Sequence, residues 1–223
     1  MDQGWRGYHA RWEGSHWLAR AMEHWEFYRK FHRKLSAHLE PGDSLLDIGS
    51  GKGYSALYFA ANGHPVIGID PDAASVEEAN AWATRFSLPA RFLEGDIFTY
   101  RPEGRFRMSY SMGLIEHFPV DQAVRMLSIQ GKVSDLVVAM APTSHSLRTV
   151  EPCSIPWTPQ TYGTLRRAFE AAGLAIVDSF GAGQVWSHWE GRLHAVLPPA
   201  VVHFLQNRVG YAMNVSVIGH RQG

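Results

Sequence analysis

Three glycines at alternate positions, Gly49, Gly51 and Gly53, follow an acid, Asp47, that sits near the end of a short apolar run. Glycine in such a turn accepts positive φ angles and lets a ligand approach the backbone, which a Cβ would block. Tyr54 to Ala61 then read as a helix whose N-terminus points at the turn, where unpaired N–H groups favour anions and polar ligands. Two further acids, Asp70 and Asp96, fall at or near the ends of later apolar runs. Asp70 lies about 20 residues beyond Gly49, the separation expected of an acid that binds ribose hydroxyls. A carboxylate suits that task because it can accept two hydrogen bonds from a vicinal diol.

A nicotinamide-binding turn needs Gly-x-Gly-x-x-Gly or Ala, and the final position here is Tyr54, whose bulk obstructs a pyrophosphate. Gly-x-Gly-x-Gly preceded by an acid is the better match.

Such residues work only if strands deliver them to one edge of a sheet. Short apolar runs at 44–48, 65–70, 90–94, 107–111, 135–140, 174–180 and 214–218 read as seven strands. Helical segments at 54–61, 72–86 (Asp72 as N-cap), 121–129 and 159–172 (stopped by Gly173) alternate with most of them. This alternation predicts an α/β fold, a doubly wound Rossmann-like sheet of seven strands, mostly parallel with an antiparallel last strand. Ahead of it, Leu18, Ala21, Trp25, Tyr28, Phe31, Leu35 and Leu39 form one face of an amphipathic helix over Trp17–Leu39, closed by Pro41-Gly42-Asp43. The expected organisation is a helical cap or lid over 1–40 and a core over 41–223 with an insertion at about 181–212. Ligands of such sheets bind at the carboxyl ends of the strands, at the switch point beside strand one.

Composition narrows the partners. The chain has 223 residues, 45% of them hydrophobic, enough for a sizeable core. Lys+Arg and Asp+Glu are both 21, so there is no basic field of the kind a general nucleic-acid binder needs. The one cysteine, Cys153, allows neither an intrachain disulfide nor a cysteine zinc cage, and points to a reducing, cytoplasmic setting. No signal peptide or membrane span is expected.

Four motifs, in order, resemble those of the class I S-adenosylmethionine-dependent methyltransferases of small-molecule type. They are Leu46-Asp47-Ile48-Gly49-Ser50-Gly51-Lys52-Gly53, Ile67-Gly68-Ile69-Asp70, Glu94-Gly95-Asp96-Ile97 and Gly113-Leu114-Ile115-Glu116-His117-Phe118. The resemblance implies S-adenosylmethionine as cofactor and S-adenosylhomocysteine as product. It implies that Gly49, Ser50, Gly51 and Gly53 line the methionine half and that Asp47 faces its amino group. Asp70, followed by Pro71, would hold the ribose. Asp96 would accept from the adenine amino group, with Ile97 against the ring, and the backbone at Met112-Gly113 would pass beneath the sulfonium. The Asn/Asp-Pro-Pro-aromatic motif of base-directed amino methylases is absent, with Ser111-Met112-Gly113-Leu114 in its place. No carboxylate set for a catalytic magnesium is evident, so no metal is expected.

A hydroxyl acceptor also needs a base, and histidine suits because its pKa lies near working pH. His117, just beyond the end of strand four, is the candidate base, with Glu116 beside it. Trp12, Trp25, Tyr28, His145, Trp186 and His188 are candidate acceptor-binding residues, since aromatics stack on flat molecules or hold cations. Glu151 is a weaker candidate in the same loop as His145. The expectation is methyl transfer to a small molecule, as in natural product biosynthesis, with oxygen favoured, by a monomer or homodimer. The alternatives are nitrogen or carbon acceptors, or a cofactor-binding protein that transfers no methyl group.

Overall fold

The computed structural model describes residues 17–102, 104–146, 155–182 and 196–221. Two helices, α1 (Trp17–Phe27) and α2 (Arg29–Ser36), precede the first strand, β1 (Leu45–Ile48). There follow α3 (Tyr54–Ala61), β2 (Val66–Asp70), α4 (Ala73–Arg85), β3 (Ala90–Glu94) and β4 (Phe106–Met112). A single 3-10 turn, Ile115–His117, leads to α5 (Val120–Val133) and β5 (Ser134–Pro142). The chain closes with α6 (Tyr162–Ala171), β6 (Leu174–Ala182), α7 (Pro199–Phe204) and β7 (Asn214–Arg221).

The seven strands form one sheet in the order β3-β2-β1-β4-β5-β7-β6. β1 to β5 are parallel, and β7 runs antiparallel between β5 and β6. The expected architecture, with its antiparallel last strand, is the one observed. Chain order reverses at β1, which pairs with β2 on one side and β4 on the other, so the switch point lies beside the glycine turn.

Alternate residues of each strand feed opposite faces. Leu45, Met108 and Tyr110 pack with Phe31, Leu35, Phe59 and Phe180 on one face. Leu46, Ile48 and Val217 pack with Met126, Leu127, Leu165 and Phe169 on the other. Both faces being covered, β1 is buried at all four positions, which is why it reads as an unbroken apolar run around one acid.

Three local differences have physical reasons. The helix expected over Trp17–Leu39 is two helices, broken at Tyr28, whose backbone leaves the helical region at φ −97° and ψ 14°. The apolar stripe keeps its period across the break: Trp17 and Ala21 are buried from α1, Phe31 and Leu35 from α2. A change at one residue is invisible to periodicity. The helix expected from Pro159 starts at Tyr162, because Thr161 and Thr164 form a reciprocal capping box. β6 extends through Ala182, so Gly181 belongs to the sheet rather than to an insertion. Asp72 is the N-cap of α4, accepting from the Ser75 backbone at 3.1 Å.

Gly68 marks a close approach. In the register of β2 and β3 it faces Phe92, and the space of a Cβ is taken by the Phe92 ring and the Ser50 hydroxyl. Gly68→Ala should therefore cost about 1–3 kcal/mol, read by urea unfolding. Gly104→Ala, where a Cβ meets nothing within 4 Å, should stay within about 0.5 kcal/mol of wild type.

Candidate active site

The carboxyl edge of the parallel strands gathers the predicted acids. Gly49 and Ser50 N–H both donate to Ile69 O, at 2.9 and 3.1 Å, which fastens the glycine turn to β2. Gly53 ends the turn at φ +76° as the N-cap of α3, and a Cβ there would lie 2.7 Å from the Phe92 ring. The turn thus needs glycine for both its backbone and its neighbour.

Asp70 ends β2 and is buried. Its carboxylate accepts from Gly51 N–H at 2.7 Å and from Asp72 N–H at 2.8 Å. A carboxylate has about four acceptor sites, and these two bonds orient it. Asp47, within β1, is 4% exposed and accepts from the Tyr110 hydroxyl at 3.0 Å. Burial pushes its carboxyl up to about 7, the Tyr110 bond opposes that, and Asp70 adds to it. Asp96, beyond β3, is exposed, with one oxygen taking the Phe98 N–H at 2.8 Å, while Ile97 beside it is buried. Pro71 is exposed at the mouth of the same edge. The Ser50 hydroxyl is sealed without a hydrogen-bond partner.

Met112 ends β4 and Gly113 follows at φ +65°, its amide held by Met140 O of β5 at 2.9 Å. Glu116 folds back toward this point, with Oε1 3.6 Å from where a Gly113 Cβ would stand. Its Oε2 is sealed and unpartnered, and burial pushes its carboxyl up to about 8. At neutral pH Glu116 is mostly a neutral acid. His117 donates Nδ1–H to Pro156 O at 2.9 Å. That bond fixes the tautomer, since a carbonyl only accepts, and leaves Nε2 as a lone pair. His117 Nε2 stands 3.8 Å from Glu116 Oε1, too far for a hydrogen bond. Burial holds the imidazole below its usual pKa, against the Pro156 bond, which raises it.

The candidate acceptor residues divide. Trp25 donates its indole N–H to Tyr54 O at 2.7 Å and packs on Tyr58, so its ring ties α1 to α3. Tyr28 stands by His24, ring centroids 4.6 Å apart. His145 follows β5 at the same edge, against Tyr211 at 4.8 Å. Trp12, Trp186, His188 and Glu151 lie outside the described residues.

Sequence reasoning missed a buried cluster at this edge. Ser55, in the first turn of α3, contacts His24 of α1 and His32 of α2, at 2.9 and 3.0 Å. Its hydroxyl also donates to Met112 Sδ at 3.0 Å. The signal was present: His24, Tyr28 and His32 recur every four residues, on one side of the helical stripe.

Comparison with known proteins agrees with this geometry. Residues 45–133 match the methyltransferase domain family. Over 89 residues the chain is 36% identical to a ribosomal protein L11 methyltransferase of Thermus thermophilus. That alignment takes in 40% of this chain and spans about a third of the relative, 35% of its length. Among solved structures, the magnesium protoporphyrin IX methyltransferase of Synechocystis, with bound S-adenosylhomocysteine, superposes at TM-score 0.69 and 15% identity, covering 99% of this chain and 95% of that one. The 1,6-didemethyltoxoflavin-N1-methyltransferase of Burkholderia thailandensis gives TM-score 0.64 and 20% identity, over 87% and 78%. At these identities the structural likeness is one of fold. Residues 45–133 thus match a methyltransferase domain, and the described remainder of the chain completes a fold shared with solved S-adenosylmethionine-dependent methyltransferases.

Proposed function

We propose that the chain binds S-adenosylmethionine at the carboxyl edge and transfers its methyl group to a small-molecule acceptor, with oxygen favoured and no metal required. The observation that carries this reading is the buried Asp70 carboxylate bonded to Gly51 N–H within the glycine turn, on the edge that also holds Asp47 and Asp96. The two structural relatives, each named for a small-molecule substrate, support a small acceptor.

When bound, the sulfonium supplies a methyl group that is already activated, so the protein's task is to position the acceptor and exclude water. Asp70 accepts from the ribose hydroxyls beside Pro71. Asp96 accepts from the adenine amino group, and Ile97 packs on the ring. Gly49, Ser50, Gly51 and Gly53 line the methionine half, with the sealed Ser50 hydroxyl as a polar group in want of a partner. Asp47 balances the ammonium, Met112 and Gly113 form the floor, and His117 Nε2 takes the acceptor's proton. Glu116, neutral at the floor, adds no second charge there.

Calorimetric titration with S-adenosylhomocysteine, with NADH as control, tests the cofactor class: the first should bind and the second should not. Asp70→Ala should weaken S-adenosylhomocysteine at least about tenfold through lost bonds to a charged acceptor; unchanged affinity sinks the assignment.

Asp47 makes a prediction with a definite sign. Its native pKa is raised to about 7. From about pH 4 upward the unfolded chain has released this proton while the native state keeps it, so stability falls as pH climbs to about 7 and then levels. Asp47→Asn should be more stable than wild type at pH 8, by about 1–4 kcal/mol, and equal to it at pH 4. Urea unfolding at both pH values reads this, and calorimetry should show weaker S-adenosylhomocysteine binding by the same variant.

Once labelled methyl donor has revealed an acceptor, His117→Ala should slow transfer by roughly 10²-fold with S-adenosylhomocysteine affinity retained. A rate within a few-fold of wild type assigns His117 only to tethering Pro156.

A further inference from the structure

Three side chains from three elements converge on the Ser55 hydroxyl: His24 from α1, His32 from α2 and Met112 from the end of β4. A hydroxyl has one proton, and a thioether sulfur can only accept. With the Ser55 proton directed at Met112 Sδ, both imidazoles donate Nε2–H to the Ser55 oxygen. Each ring is thereby fixed in one tautomer, and each Nδ1 is a bare lone pair.

The two lone pairs have different surroundings. His32 is fully buried, its ring stacked on Tyr58 at 4.3 Å and its Nδ1 sealed without a partner. His24 is half-buried, and its Nδ1 is neither sealed nor hydrogen-bonded among the described residues. The rings of Tyr28 and Tyr54 flank it, centroids 4.6 and 5.4 Å away. His24 thus presents an acceptor atom on a ring that packs at a tilt against Tyr28 and Tyr54, one hydroxyl removed from the last residue of β4.

We propose that His24 Nδ1 binds the methyl acceptor by taking a hydrogen bond from its hydroxyl or N–H, and that the acceptor is a neutral ring compound carrying such a donor. This rests on the carboxyl edge being the methyl-transfer site. Aromatic rings beside the acceptor atom favour a ring-bearing partner, and Ser55, with His32 behind it, holds the imidazole as a second residue orients the histidine of a catalytic triad. Burial, with His32 nearby, pushes the His24 pKa down to about 3. The ring therefore stays neutral, keeps its lone pair, and sets no cation beside a cationic sulfonium.

The experiment is nitrogen-15 NMR of the full chain labelled at histidine, with S-adenosylhomocysteine present. His24 should show the Nε2–H tautomer with Nδ1 unprotonated. Phenol, as the minimal neutral ring with a donor, should shift the His24 Nδ1 signal, and anisole, which lacks the donor, should not. A proton on Nδ1, an equal response to both probes, or a response to neither overturns the proposal. Calorimetry on the same sample separates the two readings. If S-adenosylhomocysteine binds and Nδ1 is silent, this inference alone fails. If it does not bind, the cofactor reading fails and takes with it the assignment of the His24 ligand as a methyl acceptor, whatever phenol does.

Discussion

A buried carboxylate must be satisfied, and much of this site follows from how Asp70 is. Left bare in a low-dielectric interior, the charge would cost several kcal/mol. Here backbone N–H groups from both sides meet it, Gly51 from the turn after β1 and Asp72 from the start of α4. The Gly51 bond locks β1's exit to β2's exit, and the Asp72 bond fixes the carboxylate in place. The lock sets where α3 begins, and with it the position of Ser55 and the floor at Met112. Glycine at 68 and glycine at 53 both leave room for the same edge of the Phe92 ring beneath the turn. One charge and one phenyl ring thus define the cradle.

A second theme is the suppression of charge. Burial raises Asp47 and Glu116 and lowers His24, His32 and His117. Every one of these shifts favours the neutral form. A site built to receive a cation from water gains from this arrangement: no imidazolium repels the arriving charge, and Asp47, poised near neutrality, ionises readily when an ammonium faces it. On the proposed reading, the burial that raises the Asp47 pKa would also make it responsive to a facing ammonium.

The sheet and the acids at its carboxyl edge were legible because their signals are local. Buried parallel strands read as apolar runs, and β3 was legible to its terminal residues. Asp47, Asp70 and Asp96 sit at or near strand ends, and spacing alone separates them from surface acids. What was not legible depends on contacts across the chain. Nothing in the stripe from Trp17 to Leu39 reveals the break at Tyr28, because the burial period survives it. Trp25 looked like a candidate for stacking on a ligand, yet its indole is spent on the Tyr54 carbonyl. His117 was legible as a histidine after a strand; the tether to Pro156, which decides its tautomer, joins residues 39 positions apart.

On the proposed reading the N-terminal helices carry part of the site as well as covering the sheet. α1 and α2 close one face of the sheet with Phe31 and Leu35, and the same helical period that buries those residues brings His24 and His32 onto Ser55. Packing and function share one stripe. Any change that repacks α2 against Phe59 and Phe180 also moves the imidazoles that face β4. On the proposed reading the cofactor half lies in turns that need glycine and a diol-binding acid, for which few side chains substitute. The acceptor half is built from whichever helices cover the edge, so its chemistry is found in the side chains those helices bring to the end of β4.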